Sequence, residues 1–335
     1  MEFRIDPGEK FALLVTDLYP TQGLDRPWKL DDHTWFLPKI PVEVSEHWKQ
    51  WLGSITSESI DKSNFVLIVK QHSNKPDEID SINQSLRQRI FNLFYCIIFQ
   101  GIPSAQNIYV LTGANVNNKY DIQNYSSEEK IYPIHDVKID IVTPSKLLYA
   151  TTMNQQYESI YSSKEAYRRL RLGFHSLVRA IREELIDFRL HDYARAIEAL
   201  VKPKWQRTIR KNFVHRCQTL TKACSETQQI LTDIYLLRSA NEHLNSWLSS
   251  LESLYDNAEK TAFERLWQVE NLALSTYSKL LLDPNLLQIF ETDESIDSFW
   301  AKPDDERRSI WGKPFDIRRF RWVDNGYGIL ELGVG

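Results

Sequence analysis

Short runs of consecutive apolar residues recur through the first 150 residues and predict β-strands. The four predicted strands are Phe11–Val15, Phe65–Lys70, Ile108–Leu111 and Val137–Val142. Between them, Val44–Leu52 and Ile79–Phe99 have the apolar spacing of helices. Polar residues at Asn117–Asn118 and Gln123–Lys130 indicate loops. Strands that alternate with helices are typical of an α/β domain, which we expect over residues 1–150. The segment from Phe65 to Leu111 is compatible with a strand–helix–strand unit.

Beyond about Thr152 the apolar residues recur at steps of three and four, which predicts helices. A continuous stripe from Tyr167 to Phe188 predicts one long helix, and Ser162–Glu165 matches a capping box at its start. Further helices are predicted over Tyr193–Val201, Trp205–Cys224, Glu226–Leu244 and Trp247–Leu282. Pro203 must end the first of these.

These patterns predict an α+β multidomain protein with three segments. The α/β domain is followed by an all-α bundle over residues 151–300 and by a C-terminal extension over residues 301–335. The extension begins with a short helix at Pro303, whose first turn is acidic, as the helix dipole favours. Gly326 and Gly328 are compatible with a hairpin near the end of the chain.

The composition is that of an ordinary globular protein and excludes several classes of active site. Hydrophobic residues make up 42% and charged residues 26%, and the 11 glycines form no phosphate-binding loop after a strand. The sequence contains no H-E-x-x-H, no cluster of His and Cys with metal-ligand spacing, and no G-x-S-x-G. We therefore expect neither a metal site nor a cofactor.

The cysteines and the apolar runs indicate the cellular compartment. The cysteines Cys96, Cys217 and Cys224 are odd in number and lack C-x-x-C spacing, so no disulfide framework is predicted. The first residues include an acid and lack the apolar region of a signal peptide. The longest apolar run, Ile90–Ile102, is shorter than the roughly 20 residues that span a bilayer. We expect a cytoplasmic protein that does not engage a membrane.

Basic residues are concentrated in the first part of the predicted bundle. The formal net charge is −4, but residues 161–230 contain 15 Lys and Arg against 7 Asp and Glu. This stretch therefore carries +8 and the remainder of the chain carries −12. Such a segment favours a polyanion such as RNA, or an acidic partner. The alternative is a solvated basic face that pairs with acidic residues of the same chain.

Three stretches of the predicted bundle together resemble a known family. They are Asp192–Leu200, with an aromatic residue and then Glu198; Phe213-Val-His-Arg216; and Tyr235-x-x-Arg238-Ser239 followed by His243. The last stretch matches the Arg-x(4–6)-His motif of HEPN domains. The region from about residue 165 to 282 therefore resembles a HEPN domain of the bacterial Apea-like branch. The resemblance covers about a third of the chain and does not include residues 1–150.

The resemblance implies a metal-independent endoribonuclease that cleaves RNA through its own 2′-hydroxyl. Arg238 and His243 would be catalytic, with Ser239, Asn241 and Glu242 supporting the active cleft. Histidine moves protons near neutral pH, and arginine stabilises the extra negative charge of the transition state. Residues five apart on a helix differ by about 140° in direction and about 7.5 Å in rise. The family's solution is a homodimer in which two motifs face each other.

The resemblance also implies a biological setting. Proteins that look like this serve in bacterial defence, toxin-like or growth-arrest systems, in which the first domain perceives a trigger or a regulatory partner. A second basic cluster on the predicted third helix of the bundle offers nucleic-acid-binding residues. Its members are Arg210, Lys211, His215 and Arg216. The alternative for this cluster is an exposed basic helix face.

Two other interpretations of the bundle remain open. Arg210-x4-His215, Arg169-x5-His175 and Arg168-x6-His175 satisfy the same motif spacing. Arg238 and Glu242 also stand at positions i and i+4, where a surface ion pair is common. If that ion pair forms, the arginine is occupied, and a non-catalytic module for dimerisation or for binding RNA or a partner gains support. The acidic remainder of the chain also fits a structural subunit of a larger complex.

Overall fold

The computed structural model describes residues 3–101, 105–131, 141–163, 165–203, 208–323 and 326–329. The chain is a mixed α+β protein with two compact units. Among the described residues, the first unit comprises 3–131 and 141–158, and the second comprises 159–329. None of the helices in these ranges combines the length and the apolar character that a membrane crossing requires.

The described part of the first unit contains a six-stranded sheet and three helices, of which the last continues past residue 158. In chain order its elements are β1 (Glu9–Thr16), β2 (Tyr19–Pro20), β3 (Trp28–Lys29), β4 (Thr34–Leu37), α1 (Glu46–Asp61), β5 (Phe65–His72), α2 (Ser81–Ile98), β6 (Ile108–Val116), β7 (Lys119–Ser127), β8 (Ile141–Val142) and α3 (Pro144–Ser162). The main sheet has the order β3-β4-β5-β1-β6-β7, and every neighbouring pair is antiparallel. Strand β8 pairs in parallel with β2.

The sheet of the first unit lies between helices. Residues of β1 point alternately to its two faces, as in any strand. Phe11, Leu13 and Val15 belong to a buried cluster that includes Ile60 of α1. Helix α2 packs against β1, β5 and β6. Both faces are thus covered, which explains why the central strands are runs of apolar residues.

The strand–helix–strand unit predicted from Phe65 to Leu111 is present, with β1 inserted between its two strands. Strands β5 and β6 run parallel to each other, because each is antiparallel to β1, which lies between them. The loop predicted over Gln123–Lys130 is wrong for its first five residues, which belong to β7. This strand is at the edge of the sheet and buries only Ile122, so its apolar signal is weak. Of the strand predicted over Val137–Val142, residues 137–140 lie outside the described residues.

The second unit is a helical bundle with a C-terminal hairpin. Its elements are α4 (Arg168–Arg182), α5 (Ile186–Val201), α6 (Ile209–Leu220), α7 (Ser225–Glu242), α8 (Ser249–Glu252), α9 (Ala258–Leu282), α10 (Pro284–Gln288), α11 (Asp293–Ala301), α12 (Asp304–Trp311), a 3-10 turn (Ile317–Arg319), β9 (Phe320–Val323) and β10 (Gly326–Ile329). Helix α5 is central, since it packs against α4, α6, α7 and α9. The hairpin of β9 and β10 is antiparallel, and the Gln268 side chain of α9 donates to the Phe320 carbonyl at 2.8 Å.

Two helix boundaries at the start of the bundle differ from the sequence prediction. The single helix predicted over Tyr167–Phe188 is wrong, because the chain breaks between Arg182 and Ile186 and forms α4 and α5. The capping box predicted at Ser162–Glu165 is also wrong, since Ser162 is the last residue of α3 and α4 begins at Arg168. Both helices face the same core, so the apolar spacing continues across the break although the backbone turns.

Other boundaries follow the sequence signals. Helix α5 ends at Val201, and Lys202 adopts φ 41° immediately before Pro203. Helix α12 begins after Pro303 and carries three acidic residues in its first turn. By contrast, the single helix predicted over Trp247–Leu282 is wrong, because the chain forms the two helices α8 and α9 there, with Asn257 capping the second.

Candidate functional site: the ionic cluster between α5 and α7

Arg238 of α7 faces helix α5 and forms ion pairs with two carboxylates. Its Nη2 lies 3.0 Å from Oε2 of Glu198 on α5 and 3.3 Å from Oε2 of Glu242, one turn later on α7. The side chains of Arg238 and Glu198 are only 14% and 15% exposed. The position of Tyr235, whose ring lies 5.3 Å from Phe213, fixes this turn of α7 against α6. Arg238 is therefore held by the fold and neutralised within the chain.

Two further side chains of α5 complete this site. Nε2 of His191 lies 2.8 Å from Oε2 of Glu242, and Nη1 of Arg195 lies 3.7 Å from the same oxygen. We call His191, Arg195, Glu198, Arg238 and Glu242 the α5–α7 ionic cluster. Residues 191, 195 and 198 are separated by four and three positions, so they share one face of α5. The packing of α5 against α7 brings that face to Arg238 and Glu242.

The charges of the cluster change the acidity of its members. The Asp192 carboxylate, 3.7 Å from Nδ1 of His191, and the Glu242 carboxylate raise the pKa of the His191 ring. The His191 ring in turn lowers the pKa of Glu242, with help from Arg238 and Arg195. Both effects favour a protonated histidine beside an ionised glutamate. Burial raises the pKa of Glu198, against the lowering effect of Arg238 and Arg195.

His243 lies outside this cluster. It follows the last residue of α7, is exposed, and its backbone N–H donates to the carbonyls of Ser239 and Ala240 at 3.2 Å. In the described part of the chain its ring takes part in no hydrogen bond or ion pair. The Asn241 side chain donates to Asp187 Oδ2 at 3.1 Å, which ties the end of α7 to the start of α5. The structure thus brings Arg238 and Glu242 together but leaves His243 directed to solvent.

The basic cluster predicted on the third helix of the bundle is divided by the fold. Arg216 of α6 is buried, donates to the Val201 carbonyl at 2.7 Å, and lies over the Trp300 ring. His215 is exposed but its Nε2 lies 3.0 Å from Asp304 Oδ2 of α12. Arg210 and Lys211 are exposed. Arg216 therefore packs the bundle, and three of the four predicted nucleic-acid-binding residues face solvent.

Several arginines of the basic stretch are also used within the bundle. Arg169 donates to the Ala199 carbonyl at 2.8 Å, and Arg171 donates to carbonyls before α4. Arg179 binds the buried Asp192 carboxylate with two nitrogens, at 2.6 and 2.9 Å. Part of the positive charge that suggested a polyanion is therefore engaged in packing α4 against α5.

Three members of the cluster were not predicted as site residues. Glu198 belongs to a stretch that carries the family resemblance, whereas the sequence pattern gave no role to His191 or Arg195. Their spacing on one face of α5 is a signal that the sequence contains. Which helix covers that face depends on the tertiary fold, and the sequence pattern does not specify it.

Comparison of the chain with models of protein families, with curated proteins and with solved structures finds no match. Over the described ranges, no group of three or more His, Cys, Asp and Glu side chains is arranged to hold a metal ion. The function must therefore be argued from the residues of the site themselves.

The histidine of the cluster makes stability depend on pH. We expect His191→Gln to destabilise the protein more at about pH 5.5 than at about pH 8.5. Because the fold raises the pKa of His191, the protonated ring contributes stability that is fully present below the ordinary value of about 6.5. That contribution is lost as pH rises through the higher pKa of the folded state. The charged groups that face the ring are Asp192 and Arg195 on α5, and Arg238 and Glu242 on α7.

Urea unfolding of wild type and His191→Gln at both pH values measures this effect. Glu242→Gln serves as the matched background. In this background His191→Gln should change the free energy of unfolding by more similar amounts at the two pH values, because the partner charge of the ring is absent. An equal destabilisation by His191→Gln at both pH values would contradict the assignment.

Proposed function

We propose that the chain is a metal-independent endoribonuclease of HEPN type. In this proposal Arg238 binds the scissile phosphate, and His243 transfers a proton to or from the RNA during cleavage. The contact between Glu198 and Arg238 carries this proposal. It joins the first and third of the stretches on which the family resemblance rests. The second stretch packs against the helix that carries the first, because Arg216 donates to the Val201 carbonyl at the end of α5. Separate sequence signals thus meet in one place.

The positions of the two proposed catalytic groups suit their roles. Glu198 fixes the Arg238 guanidinium from the side of α5, so that its orientation is set before a substrate arrives. A fixed guanidinium can donate to phosphate oxygens and stabilise the charge of the transition state. His243 is exposed, so its ring is accessible to a nucleotide that approaches from solvent. In the reaction, a base removes the proton of the 2′-hydroxyl, the 2′-oxygen attacks phosphorus, and the 5′-oxygen leaves with a proton from an acid.

A homodimer is part of the proposal, since Arg238 and His243 of one chain point in different directions. The surface around the end of α7 supports it. Leu244 is 90% exposed, and Leu185 and Phe188 at the start of α5 are 59% and 43% exposed. The hydrogen bond from Asn241 to Asp187 places these apolar residues near one another. A second copy of the chain would cover them and bring its own His243 towards the cleft.

One observation favours a second candidate function, a module that binds RNA or a partner without cleavage. Arg238 already has two carboxylate partners, Glu198 and Glu242. A catalytic arginine that is neutralised in this way must exchange one partner for the substrate before it can act. If that exchange does not occur, the bundle binds or dimerises only.

The deciding experiment is incubation of purified full-length protein with total cellular RNA in the presence of EDTA. We expect discrete fragments from wild type and none from His243→Ala. Products that end in a cyclic phosphate would identify attack by the 2′-hydroxyl.

Cleavage by His243→Ala at the wild-type rate would refute the site and make His215 the next candidate. Bound but intact RNA would favour the second candidate function, and a monomeric mass in light scattering would refute the dimer.

A further inference from the structure

A single carboxylate oxygen is the meeting point of two arginine side chains and one histidine, which carries a positive charge when it is protonated. Oε2 of Glu242 lies 2.8 Å from His191 Nε2, 3.3 Å from Arg238 Nη2 and 3.7 Å from Arg195 Nη1. These donors come from two helices and converge on one point. Such convergence is the arrangement that proteins use to hold an oxygen of an anion.

The dipole of helix α7 does not favour an acid at this position. Glu242 is the last residue of α7, where the helix dipole favours cations and opposes a carboxylate. The attraction that keeps it there comes from the three cations. The cations would therefore remain as an anion-binding site if the carboxylate moved away.

The site can be reached from solvent, and its carboxylate can leave it. The side chains of Glu242 and Arg195 are 38% and 48% exposed, whereas Arg238 is 14% exposed. After Glu242 the helix ends, and Leu244 turns the chain with φ 56°. Movement of the Glu242 side chain breaks its three ion pairs and leaves the backbone of α7 in place. Arg238 keeps Glu198 as a partner in either state.

From these observations we infer that Glu242 occupies the place of a phosphodiester oxygen, and that His191, Arg195 and Arg238 form an RNA phosphate site which Glu242 keeps closed. A phosphodiester carries one negative charge, as does the carboxylate, so the exchange preserves the charge balance of the cluster. Guanidinium groups donate to phosphate and carboxylate with the same geometry. The inference rests on the proposed function, because it names RNA as the ligand, but it does not depend on cleavage.

The test measures binding of a probe that cannot be cut. The probe is a fluorescent 2′-O-methyl oligoribonucleotide of ten residues, which has the phosphates of RNA and lacks the attacking hydroxyl. Fluorescence anisotropy with the full-length protein is compared for wild type, Glu242→Gln and Glu252→Gln. Glu252 is exposed at the end of α8 and has no ion pair within the described ranges, so its variant controls for the loss of one negative charge. We expect Glu242→Gln to bind about tenfold more tightly than wild type.

A second variant separates the local site from long-range attraction. Arg195→Ala in the Glu242→Gln background should return the affinity to within about twofold of wild type. Arg195 is half exposed, so the fold should tolerate its removal. A gain that survives Arg195→Ala would overturn the inference, as would a gain of equal size in Glu252→Gln or no binding by any variant.

Failure of the inference and failure of the proposed function give different results. RNA cleavage by wild type without a gain in Glu242→Gln refutes the closed phosphate site and leaves the ribonuclease proposal intact. Tighter binding by Glu242→Gln without any RNA cleavage supports the phosphate site and refutes the ribonuclease.

Discussion

His243→Ala is expected to reduce RNA cleavage by a factor of about 10² to 10⁴ while the free energy of unfolding changes by less than about 0.5 kcal/mol. The loss of activity follows from the loss of the proposed proton-transfer group. The unchanged stability follows from the position of the ring, which is exposed beyond the end of α7. Cleavage rates of a labelled RNA and urea unfolding of the same preparation measure the two quantities.

His175→Ala is the matched control for this variant. His175 is also an exposed histidine of the bundle and stands at motif spacing from Arg169. We expect its removal to change neither activity nor stability. A loss of activity in His175→Ala equal to that in His243→Ala would show that the motif at Arg238 has no special role.

Arg238→Ala is expected to behave differently, because it affects activity and stability together. Its removal leaves Glu198, which is only 15% exposed, without its closest partner. An unpaired carboxylate at this depth should cost about 2–3 kcal/mol. Combining Arg238→Ala with Glu198→Gln should restore much of that stability and none of the cleavage. Recovery of cleavage in the double variant would show that Arg238 acts only through the fold.

Gly173→Ala is expected to destabilise the second unit by about 3 kcal/mol. A Cβ at Gly173 of α4 would lie 1.8 Å from the Tyr277 hydroxyl of α9 and 2.9 Å from the Ala199 Cβ of α5. The Tyr277 side chain is fully buried, and its hydroxyl donates to the Ala196 carbonyl at 2.8 Å. Neither neighbour can move without repacking the helices, since protein interiors are close-packed.

The most severe contact at Gly173 involves the Tyr277 hydroxyl oxygen, so it can be tested by removing that atom. Tyr277→Phe alone should cost about 1 kcal/mol through its lost hydrogen bond. The double variant Gly173→Ala/Tyr277→Phe should be destabilised by about 1 kcal/mol or more less than the sum of the two single variants. The rescue remains partial, because the ring carbon Cζ lies 3.0 Å from the new Cβ.

Ser176→Ala, one turn later on α4, is the control and should change stability by less than about 0.5 kcal/mol. Additive costs would contradict the predicted clash.

The fold was predictable where local chemistry decides it. Buried runs such as Phe11–Val15 and Phe65–Lys70 lie within strands β1 and β5, since a strand covered on both faces needs apolar residues at every position. Pro203 marked the end of α5 because proline cannot continue a helix. The break between α4 and α5 was missed, since no glycine or proline marks it and the apolar spacing continues across it.

The site was predictable only in part. The i, i+4 spacing of Arg238 and Glu242 allowed their ion pair to be considered as an alternative, and the structure contains it. His191, Arg195 and Glu198 lie some 40 residues or more before Arg238 and Glu242. Spacing within α5 places the three on one face, but no local rule connects that face with α7.

The sequence by itself determined which segments become strands or helices and which residue types are available for chemistry, because backbone propensity and the period of apolar residues are local properties. The tertiary structure alone decided the insertion of β1 between β5 and β6, the burial of Arg216, and the convergence of three cations on Glu242. Each of these depends on which elements pack together. That choice reflects the total burial and pairing of the chain, which no short segment encodes.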